Sequence, residues 1–548
     1  MKTLVFLFAG NAGGHAFEKV FAGQSAAERA LIWASSVPSE EGRADVTVAV
    51  CRENAAEVRG LLDKSGMQGA RTVTDGPWTV RKLLEAMCAA ARDSGAGRVV
   101  FSSLDCPFLD TELTERLLLD HEKYLAEYTF AEGWPLGFAP QILDSGTLNI
   151  LSGLSSGRFA AEGDAPADSQ CIFNLMKCDL NSFEIETVLA PKDFRMLRLD
   201  FSCADKSSLL ACENLFNLAL DTRTPFTATE LSVLAERSPS VQCTVPRFYN
   251  VQIARNVCSL SVYNPYPEAA RMRYGESVQS FSGSPCMGLE AFNALVSEAA
   301  SFSGEGTVVS LSAWGEPLLV KNLAQYVASV LSHRELSVLI ETDGILLTEE
   351  TAEAVRDAQR NGMGGTVTWI VHTDAVTEET YSILHPASGS ESSGGATPCL
   401  KAALSAVSVL QKYFPGSVYP QMTRMNANEH ELEPFYRFWH EKTSPSGGKF
   451  IIQKYDSFCG ILPDEKPADL SPLVRMPCWH LKRDMTVLWD GSVPFCRERI
   501  LDGGAGNVFN DGIESVWNGI RKKAGSHVLG SDPDEKCRNC DEYYTFNF

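Results

Sequence analysis

The sequence predicts an α/β protein in three parts: a doubly wound domain over residues 1–240, a partial (β/α)6 barrel over 246–470, and a small cysteine-bearing module over 471–548. Three observations predict it. The chain opens with a strand, a glycine loop and a helix. Six apolar runs alternate with five amphipathic segments between Phe248 and Gln453. Four of the sixteen cysteines stand between Cys478 and Cys540. Alternation of strands and helices builds parallel sheets covered by helices. A length of 548 residues suits several domains, and 44% hydrophobic residues can fill more than one core. The net charge of -21 argues against unspecific binding to nucleic acid or an anionic membrane, because phosphate attraction needs a basic face.

The first residues, from Met1 to Ala9, place a lysine before an apolar run as a signal peptide does. The run is too short for that role and glycines follow at once, so it reads as a buried first strand. No run approaches the ~18 apolar residues of a membrane span. The scattered cysteines read as buried thiols of a cytoplasmic protein rather than disulfides.

In the first domain, Leu4 to Phe8 reads as a strand. A loop containing Gly10, Gly13 and Gly14 follows, then a helix carrying Ala26 to Trp33. Such a loop lets backbone amides approach a phosphate at a helix N-terminus. A strand from Asp45 to Cys51, a helix from Thr79 to Arg92 and a strand from Arg98 to Ser102 continue the alternation, and the last runs into Asp105-Cys106-Pro107. This order of parts resembles the nucleotidyltransferase and GT-A superfamily of sugar-nucleotide enzymes. The resemblance implies nucleotide binding at Gly13, Gly14 and Lys19, with Asp105 holding Mg2+. It extends to the 128–137 segment and to Arg198-Leu199-Asp200. The loop departs from the family in lacking an arginine after its glycines; His15 stands near that place. Residues 155–170 read as an exposed loop and 236–246 as a linker.

The barrel strands are expected at Phe248–Ile253, Thr307–Leu311, Ser337–Glu341, Thr366–Val371, Val418–Met422 and Phe450–Gln453. The helices between them are expected at Leu289–Ala300, Lys321–Ser332, Thr348–Asn361, Leu400–Tyr413 and Glu429–His440. In such folds chemistry sits on loops after the strands. Gly315-Glu316-Pro317 follows the second strand and Thr342-Asp343-Gly344 the third. These words resemble the corresponding loops of radical SAM barrels, with Asp343 where that family has Asn. The resemblance implies that Gly315, Glu316 and Pro317 meet the amino group of S-adenosylmethionine (SAM), for which a carboxylate is a natural partner. The family also carries C-x3-C-x2-C after its first strand. Here Val257, Ser261 and Asn264 occupy those places when Pro265-Tyr266-Pro267 sets the frame. Starting instead from Cys258 leaves Val262 and Pro265, and the spare Cys286 lies too far along.

In the C-terminal module, Met485 to Trp489 and Val493 to Cys496 flank Asp490-Gly491, a hairpin signal that would return Cys496 toward Cys478. Cys537 and Cys540 form a CxxC pair. Four converging thiolates suit either zinc or an all-cysteine iron–sulfur cluster, and spacing leaves both open. His480 and His527 read as structural. Together with Gly506-Asn507-Val508 and Val516-Trp517-Asn518-Gly519, the cysteines resemble the SPASM or twitch module of radical SAM enzymes, which implies one [4Fe-4S] cluster on Cys478, Cys496, Cys537 and Cys540. Read with the segments 453–460 and 469–484, the whole chain resembles the spiro-SPASM proteins.

Three functions follow from these readings. One is an iron–sulfur protein with a degenerate barrel site, acting in binding, electron transfer or scaffolding. Another is an active radical SAM enzyme with atypical cluster ligands, and the third a nucleotidyltransferase or sugar-nucleotide enzyme. The partners expected are a small-molecule or peptide substrate and a redox partner.

Overall fold

The computed structural model describes residues 1–545 apart from 41, 276–285, 387–398, 503 and 532–533. The chain divides into two compact units, Met1–Gln242 and Cys243–Phe548. Among the described residues, no helix is long and apolar enough to cross a membrane.

The first unit is built on a seven-stranded sheet. Its strand order is Arg71–Thr74, Asp45–Val50, Thr3–Ala9, Arg98–Ser103, Gln141–Asp144, Tyr128–Glu132 and Ile185–Leu189. Thr3–Ala9 is buried along its whole length and pairs in parallel on both sides, as expected of an apolar run with no polar alternation. Gln141–Asp144 runs antiparallel to both of its neighbours, so the sheet is mixed rather than purely doubly wound. The first long helix is Ala26–Ser36. It starts where Ser25 accepts from the Glu28 N–H and Glu28 reaches back to the Ser25 N–H. Residues 155–170 are more ordered than a loop: they contain the short helix Ala160–Gly163, and Ser155 and Ala167 are buried. The division between the two units falls inside the expected linker at 236–246, but the segment is not an open tether: it carries the helix Pro239–Gln242, and residues 241–246 are all buried, Gln242 and Thr244 among them.

The second unit carries an all-parallel, open seven-stranded sheet. The strands Phe248–Val251, Thr307–Ser310, Leu336–Thr342, Val367–His372, Val418–Arg424 and Ile451–Lys454 follow one another in chain order across it. All six coincide with the expected runs, and all five helices stand between them. The core lies between strands and helices, with Trp369 fully buried and its ring 5.7 Å from that of Phe414. The seventh strand was not foreseen in the sheet. Asp484–Val487 pairs in parallel with Phe248–Val251, in register Phe248 to Asp484 and Val251 to Val487. The expected hairpin is thereby corrected. The turn forms, with Gly491 at φ +80° and the Leu488 N–H donating to Ser492 O at 2.9 Å. The two arms then part, because Ser492–Val493 pairs with Gly506–Asn507.

Candidate metal centre and barrel pocket

Cys478, Cys496, Cys537 and Cys540 line one cavity in the second unit. Cys478 caps the short helix Trp479–Arg483 that leads into the seventh strand, and Cys496 follows the turn leaving it. Cys537 lies in the helix Glu535–Asn539, whose N-cap Asp534 accepts from the Cys537 N–H at 3.0 Å. Sequence reasoning missed a fifth thiol. Cys459 lines the same cavity and hydrogen-bonds Cys540. It sits in a tight turn in which Phe458, Cys459 and Gly460 all have positive φ, and no ligand spacing in the sequence marks it.

The electrostatics of the cavity disfavour bare thiolates. Burial pushes the Cys478 thiol up to about 12 and that of Cys496 well above the ordinary range. Cys540 is raised first by its bond with Cys459 and then by burial. Each ionised sulfur also opposes the next, so a bound cationic group is what would let all four ionise together. Donors to sulfur are already in place. Arg499 Nη1 lies 3.6 Å from Cys537 Sγ, and the Glu542 N–H donates to Cys540 Sγ at 3.4 Å. His480 and His527 also line the cavity. His480 is engaged by Asp484 Oδ2 at 2.6 Å, and burial lowers His527 to about 4, so both suit the structural reading.

A second pocket, of about 120 Å³, lies at the C-terminal ends of the barrel strands. Glu316 is buried at its edge. Its oxygens accept from the Leu318 N–H at 2.9 Å, Thr342 Oγ1 at 2.7 Å and the Asp343 N–H at 3.1 Å. Burial, and then the Asp343 charge, push the Glu316 carboxyl well above its usual range. Asp343 is raised as well, chiefly by burial. Gly315 is required here: a Cβ would stand 1.7 Å from the Ala254 carbonyl oxygen. Pro317 opens the short helix Pro317–Leu319.

The loop after the first strand is held by hydrogen bonds. Ser261 Oγ lies 3.1 Å and Ser259 Oγ 3.4 Å from His385 Nδ1. His385 Nε2 is 2.9 Å from Asp374 Oδ2, which also accepts from Tyr263 OH at 2.7 Å. Asn264 donates to Trp314 O at 3.1 Å and accepts from the Tyr266 N–H at 3.0 Å. Val257 packs against an apolar cluster with Tyr266 and Trp314. Cys258 is buried in the pocket, whereas Cys286 is exposed and lines a different one.

In the first unit the large cavity is lined by none of Gly13, Gly14, Lys19 and Asp105. Gly13 and Gly14 are exposed, and Lys19 pairs with Glu28 at 3.5 Å. A cavity of about 450 Å³ lies instead beside Asp105, lined by its neighbours Ser103 and Cys106 and by Asp200. Burial, and then the Asp200 charge, raise the Asp105 carboxyl to about 6.

Residues 478–541 match the SPASM family model, described as an iron–sulfur cluster-binding domain. An uncharacterized protein of Treponema pallidum (strain Nichols) is 38% identical over 380 residues, which cover 69% of this chain and 98% of that protein. This chain belongs to the family of that protein. Solved structures resemble it more loosely. BtrN in complex with AdoMet and 2-DOIA is 16% identical, with 55% of this chain and 94% of that one covered and a TM-score of 0.34. A cytidylyltransferase from Leptospira borgpetersenii is 15% identical, with 44% and 95% covered and a TM-score of 0.34.

Proposed function

We propose that this chain is an iron–sulfur protein of the radical SAM/SPASM class, of the spiro-SPASM type. In this reading it carries one [4Fe-4S] cluster on Cys478, Cys496, Cys537 and Cys540 and does not cleave SAM. Its role is binding, electron transfer or scaffolding for a partner or substrate. The observation that carries the reading is the convergence of these four cysteines on one cavity within the matched iron–sulfur domain. The match of residues 478–541 to an iron–sulfur cluster-binding domain supports a cluster over zinc. Bound there, a cluster would supply one-electron transfer, tuned by the donors from Arg499 and Glu542.

The barrel lacks what reductive SAM cleavage requires. That chemistry needs three thiolates holding a cluster with one free iron, and the places for them carry Val257, Ser261 and Asn264. Valine offers no donor, and the other two side chains are engaged in hydrogen bonds. Anaerobic reconstitution should give about four irons and four sulfides per chain, lost in Cys478→Ser and Cys537→Ser, and no 5'-deoxyadenosine on reduction with SAM. Stoichiometric zinc without iron, or SAM turnover dependent on Glu316, would overturn the reading.

The Asp105–Asp200 pair beside the large cavity favours a second activity, binding of a nucleotide or sugar nucleotide with Mg2+ in the first unit. Titration calorimetry with nucleoside triphosphates and sugar nucleotides should find a binder that needs Mg2+ and is lost in Asp105→Ala. Silence across the series refutes it.

A further inference from the structure

We propose that the mouth of the barrel holds one divalent transition-metal ion, bound by Cys258 Sγ and the carboxylates of Glu316 and Asp343. Donor atoms of these three residues all lie within 4.8 Å of one another. They come from the loops after three successive strands, so the fold rather than local sequence assembles them. All three are buried, at 4%, 6% and 6% exposure. Two buried carboxyls and a thiol at this distance repel one another when ionised; His385 and His372 offset part of the Asp343 charge, and Arg497 lines the same pocket. A divalent ion held directly between the three donors would offset the rest.

An independent observation favours a ligand. Trp314 lines the same pocket, is only 9% exposed, and its indole N–H has no partner among the described residues. A buried donor left open in this way calls for an acceptor, such as the oxygen of a water bound to the ion. The pocket volume of about 120 Å³ has room, since a water takes ~30 Å³. A mixed sulfur and oxygen donor set selects Zn2+ or Co2+ over Mg2+ or Ca2+, because thiolate is soft. Binding through Cys258 Sγ displaces the thiol proton to solvent. The site uses Glu316 for metal and therefore competes with any cation the loop would otherwise meet.

The test uses the full chain, anaerobically reconstituted with iron so that the C-terminal cysteines are loaded, then equilibrated with Co2+ alone and desalted. Elemental analysis should find about one cobalt per chain with a thiolate-to-cobalt charge-transfer band in the near ultraviolet. Cys258→Ser should abolish that band, and Cys258→Ala should weaken cobalt binding by ~10- to 100-fold or more. Glu316→Gln and Asp343→Asn should weaken it also. Circular dichroism of Cys258→Ala, a small apolar change in a buried position, guards against reading misfolding as lost binding. Cobalt retained at full affinity by Cys258→Ala, a band that survives Cys258→Ser, or no uptake by the wild-type chain would each overturn the proposal.

Discussion

Asp105 is a single side chain whose environment makes a measurable claim. Its carboxyl is 9% exposed and is raised to about 6, by burial first and by Asp200 second. An unfolded aspartate ionises near ~3.9, so between that value and about 6 the folded state holds a proton that the unfolded state has lost. The contribution of Asp105 to stability is therefore greatest below about pH 4, falls as pH rises toward 6, and stays lower above. Asp105→Asn keeps the shape and removes the charge. It should stabilise the first unit above pH 6 by on the order of 3 kcal/mol and flatten its melting temperature between pH 4 and 6. Parallel curves for the two proteins, measured by thermal melts across that range, would show that Asp105 ionises without penalty. The same scale marks the limit of reading sites from sequence. That Cys478, Cys496, Cys537 and Cys540 would converge on one cavity was legible because spacing and turn chemistry are local signals. Cys459 was not, since only the folded turn at 458–460 carries it to Cys540. Cys258 was legible as a leftover of a broken motif, but its meeting with Glu316 and Asp343 was not, because those residues come from other strands.

At the scale of elements, what was legible was what a segment decides alone. The six barrel strands are short, nearly continuous apolar runs, and the helices between them carry their own caps, as Thr348 does for Glu349–Arg360 by accepting from the Thr351 N–H. The seventh strand, Asp484–Val487, has the same composition, yet its partner Phe248–Val251 lies at the opposite end of the unit's sequence. No local pattern specifies so distant a pairing. The expected hairpin failed for the same reason: Asp490-Gly491 does make the turn, but Val493 finds Gly506 a better neighbour than the strand it has just left. In the first unit, the helix expected to carry Ala26 to Trp33 starts at Ala26 behind the Ser25 and Glu28 cap, and a short turn, Gly14–Phe17, stands between it and the glycine loop. That cap already engages the Ser25 and Glu28 amides at the helix start.

For the whole molecule, the division at Gln242 and Cys243 has a thermodynamic consequence. All four cysteines and the strand Asp484–Val487 belong to the second unit, and the cavity they line ties the 478–496 segment to the helix Glu535–Asn539. A cluster bound there closes a loop of about forty residues, and closing it restricts the unfolded chain much as a disulfide does, with a stabilisation of roughly 2–4 kcal/mol. The four cysteines all lie outside residues 1–242. Calorimetry of the reconstituted chain should resolve two unfolding transitions. Iron-free protein, or the Cys537→Ser variant, should lower one by several degrees and leave the other in place. Asp105→Asn assigns them, because the transition it raises above pH 6 must be that of the first unit. If removing iron moves the transition that Asp105→Asn also moves, the cluster stabilises the chain as one cooperative body. The two-unit account of its energetics then fails.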